Sequence, residues 1–242
     1  MDSDVTTTYL RLWSHLHRNY QSKKGFAPHK PVLLLAILDA IERGYIRENF
    51  IQITPELVAL VHSYWRSLVP TEASWRERIY YPFRYLVHDG FWQLIRGGRP
   101  ISKEEVGNPT CLSELSEVVD GAKFPDELWK ILQQRKWRQI FKQHLLNTYF
   151  PLSLEKVLYE IPKRPLDYEL ERLKAEAQAK FRVTGVRETA DEIGYYLRNA
   201  LFPKVIRELY ENRCAVCRIA TFMPHRTMLV DAAHILPFFQ IP

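Results

Sequence analysis

Residues 32–38 read VLLLAIL, the one long apolar run in a chain of 242 residues. Pro31 directly before this run fits the first turn of a helix, because a proline there gives up only an N–H that would have no helical partner. Gly44 fits the C-terminal stop of the same helix. A helix that is apolar on nearly every face is buried, so the run predicts the central helix of the first domain.

The flanking segments predict further helices. Apolar residues recur at helical spacing near the N-terminus and predict an amphipathic first helix: Leu10, Trp13, Leu16 and Tyr20. Thr54 before Pro55 has the pattern of an N-cap, and residues 124–149 repeat the helical pattern. Residues 91–95 predict one short strand. The predicted fold class is therefore mainly α, with a helical N-terminal domain.

The overall charge is basic. The chain has 34 Lys and Arg against 28 Asp and Glu, which gives a net charge of +6 and a pI of about 9.2. This balance fits nucleic-acid binding without establishing it. The apolar run is too short to span a bilayer, the N-terminus lacks a signal-peptide pattern, and three cysteines cannot form a disulfide framework. We therefore expect a cytoplasmic protein with reduced thiols and no membrane partner.

Prolines and charge divide the chain into three predicted parts. Pro162 and Pro165 mark a boundary, so residues 1–160 form a predicted N-terminal domain. Residues 161–184 follow as a predicted linker helix, charged and exposed with a thin apolar stripe. Residues 185–242 then form a third part, which contains the cysteine pair.

Cys214 and Cys217 have the CxxC spacing that lets two thiolates bind one tetrahedral zinc ion, and two unremarkable cysteines are an equally open interpretation. His234 follows on a predicted apolar strand, where a packed core histidine is the ordinary case. The segment from Cys214 to Pro242 resembles the opening half of an HNH nuclease module of the ββα-metal type.

That resemblance implies a structural Zn²⁺ half-site at Cys214 and Cys217, and a catalytic His234 that acts as general base. A divalent ion such as Mg²⁺ or Mn²⁺ would stabilise the scissile phosphate. The helix that carries the family's remaining ligands has no counterpart among the 242 residues. We therefore expect this chain to bind DNA without cutting it, and the whole protein to continue beyond it. Cutting two strands with one site per chain favours a homodimer.

The N-terminal part carries a second resemblance. Residues 28–35 (PHKPVLLL), 63–65 (SYW), 80–86 (YYPFRYL) and 89–94 (DGFWQL) resemble the sulfur-binding domain of phosphorothioation-dependent restriction endonucleases. The resemblance covers roughly residues 5–160, and the order of the two modules also matches that family. It implies a type IV, modification-dependent restriction endonuclease. Its partner would be double-stranded DNA that carries phosphorothioate linkages.

The resemblance also implies a site. Sulfur is larger and less tightly hydrated than oxygen, so an apolar cup accepts it while an oxygen there loses hydrogen bonds to water. The implied residues are Tyr81, Pro82 and Tyr85 as the cup, His29 and Lys30 as a basic pair beside it, and Arg76, Arg78 and Arg84 as contacts to the backbone or to base edges.

The same residues also fit other interpretations. The aromatic segment around Pro82 also fits a kinked helix start, Arg76 and Arg78 also fit a solvated loop, and His29 also fits a helix cap. Two other functions compete with sulfur reading: a nuclease that reads another mark such as a methylated base, and a non-catalytic DNA- or protein-binding module.

Overall fold

The computed structural model describes residues 2–70, 73, 75–151, 167–172, 193, 196–197 and 199–203. The chain divides into two compact units, Met1–Leu166 with Asp191–Ile193, and Asp167–Ala190 with Gly194–Pro242. Within the predicted linker, the described residues 167–172 are helical. No helix of the described ranges combines the length and apolar character needed to cross a membrane.

The first unit is mainly helical, as predicted. Its elements, in chain order, are α1 (Asp2–Ser14), β1 (Tyr20–Gln21), β2 (Gly25–Phe26), α2 (His29–Glu42), α3 (Pro55–Leu68), α4 (Tyr80–Tyr85), a 3₁₀ turn (Leu86–Asp89), β3 (Gln93–Arg96), β4 (Arg99–Ile101), α5 (Lys103–Val106), α6 (Leu112–Val118), β5 (Gly121–Lys123), α7 (Asp126–Gln133) and α8 (Arg135–Tyr149). Strands β4, β3 and β5 form an antiparallel sheet in that order, and β1 pairs with β2 as a separate hairpin.

Helix α2 is the centre of this unit, which confirms the prediction from its apolar run. Every residue from Lys30 to Ile41 is buried. The helix packs against α3, α4 and α8. Gly44 takes a φ of 72°, a conformation that glycine adopts at low cost, and ends the helical path where the sequence predicted it. Full burial of a leucine or isoleucine side chain contributes about 1.5–3 kcal/mol, so this helix is a main source of stability.

Aromatic rings join α1 to α8 and to the segment directly before β3. The Trp13 ring lies 4.7 Å from the Phe141 ring in an edge-on arrangement and 5.6 Å from the Phe91 ring, measured between centroids. Trp13, Phe91 and Phe141 are fully buried. Contacts between residues so far apart in sequence fix the N-terminal and C-terminal helices of the unit onto one core.

The N-terminal prediction was partly wrong. Helix α1 ends at Ser14, and Tyr20 lies in the hairpin, where it is 59% exposed. The amide of Ala27 donates to the carbonyl of Asn19 across 2.8 Å, and Gly25 has a φ of 72°. A two-residue strand and a turn therefore replace the last predicted helical turns. Tyr20 follows Trp13 at helical spacing, but residues 15–19 between them are not helical, so the spacing does not reflect a helix.

The cap and strand predictions are confirmed with small shifts in their bounds. Thr54 is the N-cap of α3, and its Oγ1 accepts from the amide of Leu57 at 3.3 Å. The predicted strand at 91–95 is observed at Gln93–Arg96, after two buried aromatic residues. The helical pattern of 124–149 is divided into α7 and α8.

Candidate nucleic-acid interface

A groove of about 710 Å³ opens between the β1–β2 hairpin, the start of α2 and helix α4. We call it the aromatic groove. Seven of the eight predicted DNA-contacting residues line it: His29, Lys30, Arg76, Arg78, Tyr81, Pro82 and Tyr85. These residues come from three separate stretches of sequence. The fold therefore brings the residues that the resemblance implied into one groove. The groove lies wholly within the first unit.

Helix α4 supplies the apolar wall of the aromatic groove. Tyr81 and Tyr85 are four residues apart and therefore lie on one face of the helix, with ring centroids 6.2 Å apart. Pro82 between them is buried but still lines the groove. Tyr81 is 38% exposed, so its ring is available to a ligand. The wall has the aromatic and aliphatic surface that a poorly hydrated atom requires.

His29 belongs to this wall rather than to the cations. Its Nε2 lies 2.8 Å from the carbonyl oxygen of Arg76, so Nε2 carries the proton and donates. Its ring packs 4.8 Å from Trp65 and 5.7 Å from Trp75. Burial lowers the pKa of His29; the bond to the carbonyl raises it, and the charge of Arg78 lowers it further. The net lowering favours a neutral imidazole near pH 7.

Lys30 lies in the floor of the groove in a buried ion pair. Its Nζ is 2.6 Å from Oδ2 of Asp89, and only 8% of the Lys30 side chain and 1% of the Asp89 side chain are exposed. The other carboxylate oxygen, Oδ1, accepts from the backbone amide of His17 at 2.7 Å. Burial lowers the pKa of Lys30, while the hydrogen bond to Asp89 and the charge of Asp89 raise it. Lys30 is therefore not an isolated surface cation.

The three predicted arginines take different positions. Arg76 is exposed at the groove, and Arg78 donates from Nη1 to the hydroxyl of Tyr81 across 3.0 Å. Arg84 is only 5% exposed, donates from Nη1 to the Tyr85 hydroxyl at 2.6 Å, and lies over that ring at 4.8 Å. Arg84 supports Tyr85 and is not among the residues that line the groove; its direct contact with DNA remains a prediction.

The hairpin and the two residues before it contribute groove residues that the sequence reasoning missed. Arg18 and Lys24 add two cations, and Asn19 and Gln21 add neutral polar groups. The indole Nε1 of Trp75 donates to the carbonyl of Lys24 across 2.9 Å, which ties the hairpin to the segment before α4. The basic residues directly before Gly25 were the available signal, because a cleft lined by charges of one sign attracts ligands of the opposite charge.

The predicted nuclease module rests on two cysteines and one histidine. Cys214, Cys217 and His234 lie outside the described residues. Among the residues that the structure describes, no group of three or more His, Cys, Asp or Glu side chains could hold a metal ion. The zinc half-site and the general base therefore stay predictions.

A helical domain with aromatic walls and cations in one groove is typical of nucleic-acid-binding proteins. Residues 8–161 match the family described as ScoMcrA-like, DNA sulfur-binding domain. The chain belongs to this family, since the match spans more than half of its length.

Among solved structures, the chain is similar to one described as the sulfur binding domain of SprMcrA complexed with phosphorothioated DNA. The two sequences are 19% identical, the similarity covers 67% of this chain and 99% of the other, and the TM-score is 0.48. No curated protein matches the sequence.

Proposed function

We propose that the N-terminal domain binds double-stranded DNA in which sulfur replaces one non-bridging phosphate oxygen. The observation that carries the proposal is the meeting of the Tyr81, Pro82 and Tyr85 wall with groove cations in a single cleft. Membership of a DNA sulfur-binding family supports the same conclusion. A cleft of this kind can hold a backbone segment with its substituted phosphate turned to the wall.

Discrimination in this groove would come mainly from rejection of oxygen. An oxygen placed against Pro82 and the two tyrosine rings loses hydrogen bonds to water and gains none from the wall, at a cost of about 1–3 kcal/mol. Burial of a methylene-sized apolar group adds only about 0.8 kcal/mol. Because about 1.4 kcal/mol is a factor of ten, sulfur-bearing DNA should bind roughly ten to a thousand times more tightly than plain DNA.

The neutral state of His29 fits this mode of selection. An imidazolium beside the wall would stabilise a phosphate oxygen there by a charge-assisted hydrogen bond. The Nε2 proton of His29 is instead used by the carbonyl of Arg76 at 2.8 Å, and burial keeps the ring neutral near pH 7. The histidine thus extends the apolar surface without adding a cation to it.

Most of the affinity would come from the cations around the wall. Arg18, Lys24, Arg76 and Arg78 line the same groove, and each can neutralise a phosphate regardless of the base sequence. This part of the binding energy is common to modified and plain DNA. It sets the salt dependence, whereas the wall sets the difference between the two ligands.

A competition experiment tests the proposal. The protein is bound to a labelled sulfur-bearing duplex, and unlabelled sulfur-bearing or plain duplex of the same sequence is added at moderate salt. We expect the sulfur-bearing competitor to displace the label at a concentration about ten or more times lower, in line with the penalty for oxygen. Equal displacement by both competitors would reject sulfur recognition. A sulfur-free duplex with a methylated base serves as a third competitor, and strongest displacement by that duplex would favour the alternative mark.

We also propose that the protein acts as a modification-dependent type IV restriction endonuclease through an HNH module that contains Cys214, Cys217 and His234. Two thiolates at CxxC spacing are the donor set that zinc prefers, and they supply half of a tetrahedral site. A bound divalent ion such as Mg²⁺ or Mn²⁺ would stabilise charge on the scissile phosphate. His234 would take the proton from the attacking water, and a homodimer would place one such base at each strand.

Zinc content and cleavage test the nuclease proposal separately. Replacement of Cys214 and Cys217 by serine should abolish zinc binding, which elemental analysis of the purified protein measures. A His234→Ala variant should keep the DNA affinity of the protein and lose cleavage. Equal zinc content in the serine variant, or unchanged cleavage in the alanine variant, would reject the assignment of these residues.

A further inference from the structure

We infer that Asp89 is a specificity-determining residue of the aromatic groove, because it neutralises Lys30 and so withholds a free ammonium from the phosphate. This inference rests on the proposed recognition of sulfur-bearing DNA. It assigns to a buried carboxylate, which cannot itself touch the ligand, a role in the choice between sulfur and oxygen. Asp89 is a positioning residue in this account, since it acts only through Lys30.

Lys30 and Asp89 form a short, buried ion pair. The Lys30 ammonium lies 2.6 Å from Oδ2 of Asp89, and both side chains are nearly inaccessible to solvent. At this distance the hydrogen bond is charge-assisted and strong, and it cancels the charge of the ammonium locally. Lys30 nevertheless lines the groove. The floor is therefore polar but close to neutral, although a lysine forms part of it.

An ammonium group favours oxygen over sulfur as a ligand. Lysine carries a compact, strongly hydrated point charge, which interacts best with a hard oxygen ligand. An unpaired ammonium in the floor would stabilise an ordinary phosphate oxygen there and offset the penalty that the apolar wall imposes. Sulfur, a weaker hydrogen-bond acceptor, would gain less. Neutralisation of Lys30 thus preserves the advantage of the substituted phosphate.

Asp89 is also held in place by His17. Its Oδ1 accepts from the backbone amide of His17 at 2.7 Å and lies 3.2 Å from Nδ1 of the same histidine. These bonds hold the carboxylate in place from the segment before β1, independently of Lys30. Asp89 therefore remains oriented toward the ammonium when DNA approaches, and the anionic backbone does not replace it as the counter-ion.

Asp89→Asn tests the inference directly. The amide has nearly the shape of the carboxylate and still accepts from His17, but it leaves the charge of Lys30 uncancelled. We expect the variant to bind plain duplex about three to ten times more tightly, with a salt slope steeper by about one, and sulfur-bearing duplex with little change. The ratio of the two dissociation constants should fall by the same three- to tenfold factor. An unchanged ratio in the folded variant would overturn the inference.

Two further variants separate this role from a purely structural one. Asp89→Glu keeps the charge and should largely restore the ratio. The double variant Lys30→Gln with Asp89→Asn removes both charges, and it should keep the wild-type ratio within about twofold because the native pair is already neutral. The double variant also tests the role of Asp89 if Asp89→Asn alone does not fold. Loss of discrimination in the double variant would show that Lys30 itself selects sulfur and would overturn the inference.

The wild-type control distinguishes this inference from the function on which it rests. Equal dissociation constants for both duplexes in the wild-type protein would end the proposed function and the role of Asp89 together. Clear discrimination by the wild-type protein, with the same ratio in Asp89→Asn, would reject Asp89 alone.

Discussion

His29 and Arg76, which both line the aromatic groove, are joined by a hydrogen bond of 2.8 Å from the imidazole Nε2 to the backbone carbonyl. The bond connects the first residue of α2 to the segment that leads into α4. Helix α2 is buried from Lys30 onward, so this bond attaches the segment to the core. The position of the apolar wall therefore depends on the hydrogen bond that His29 donates.

The first prediction concerns pH. Burial holds the pKa of His29 below its usual 6.5 in the folded protein, so the unfolded chain binds a proton first as the pH falls. Stability is then lost as the pH drops below 6.5 and through the folded pKa. His29→Gln, which keeps an N–H donor but does not titrate, should lose less stability over that range. Thermal unfolding at several pH values measures this, and identical slopes for both proteins would contradict it.

The second prediction concerns the wall. Pro82→Ala removes aliphatic surface from the groove, and should weaken binding of sulfur-bearing DNA by about three- to tenfold, since each lost methylene is worth about 0.8 kcal/mol. Binding of plain DNA should change much less. Titrations of both duplexes by fluorescence anisotropy measure the two effects. Equal losses for the two ligands would mean that Pro82 shapes the helix without contacting sulfur.

The third prediction concerns the groove cations. Arg78→Ala should weaken binding of both duplexes alike and lower the salt slope by about one, because one phosphate contact is lost. Arg96→Ala is the matched control, since Arg96 is exposed on β3 and is not among the groove residues. Its binding curves should match the wild type at every salt concentration. A ligand-specific loss in Arg78→Ala would instead indicate that Arg78 acts through Tyr81, to whose hydroxyl it donates.

The fourth prediction separates Arg84 from the other arginines. Arg84→Ala removes a buried guanidinium that donates to the Tyr85 hydroxyl at 2.6 Å. Unfolding in urea should show a loss of about 2–3 kcal/mol, whereas Arg96→Ala should change stability by less than about 0.5 kcal/mol. The salt slope of DNA binding should stay at the wild-type value. A stable Arg84→Ala protein with a shallower slope would identify Arg84 as a direct phosphate contact.

The sequence predicted the parts of the fold that local patterns encode. The apolar run of α2 reveals its burial by composition alone, and Thr54 before Pro55 reveals a helix start. The hairpin was missed because Tyr20 lies at helical spacing from buried residues, and spacing alone does not show that Ser14 ends the helix.

The site was predictable only in part. The wall of Tyr81, Pro82 and Tyr85 lies within one short helix, so a resemblance in that segment implied it directly. The pairing of Lys30 with Asp89 joins residues 59 positions apart, and no local pattern reports it. The burial of Arg84 depends in the same way on tertiary packing, which its position in α4 does not disclose.

The most direct measurement compares three duplexes of one sequence: plain DNA and the two diastereomers in which sulfur replaces either non-bridging oxygen at one phosphate. Only one of these oxygens can face the wall of Pro82, Tyr81 and Tyr85 when the backbone lies in the groove. Equilibrium titration should therefore give one diastereomer a dissociation constant about ten or more times lower than that of plain DNA, with the other close to plain DNA. Equal dissociation constants for all three duplexes would contradict the account.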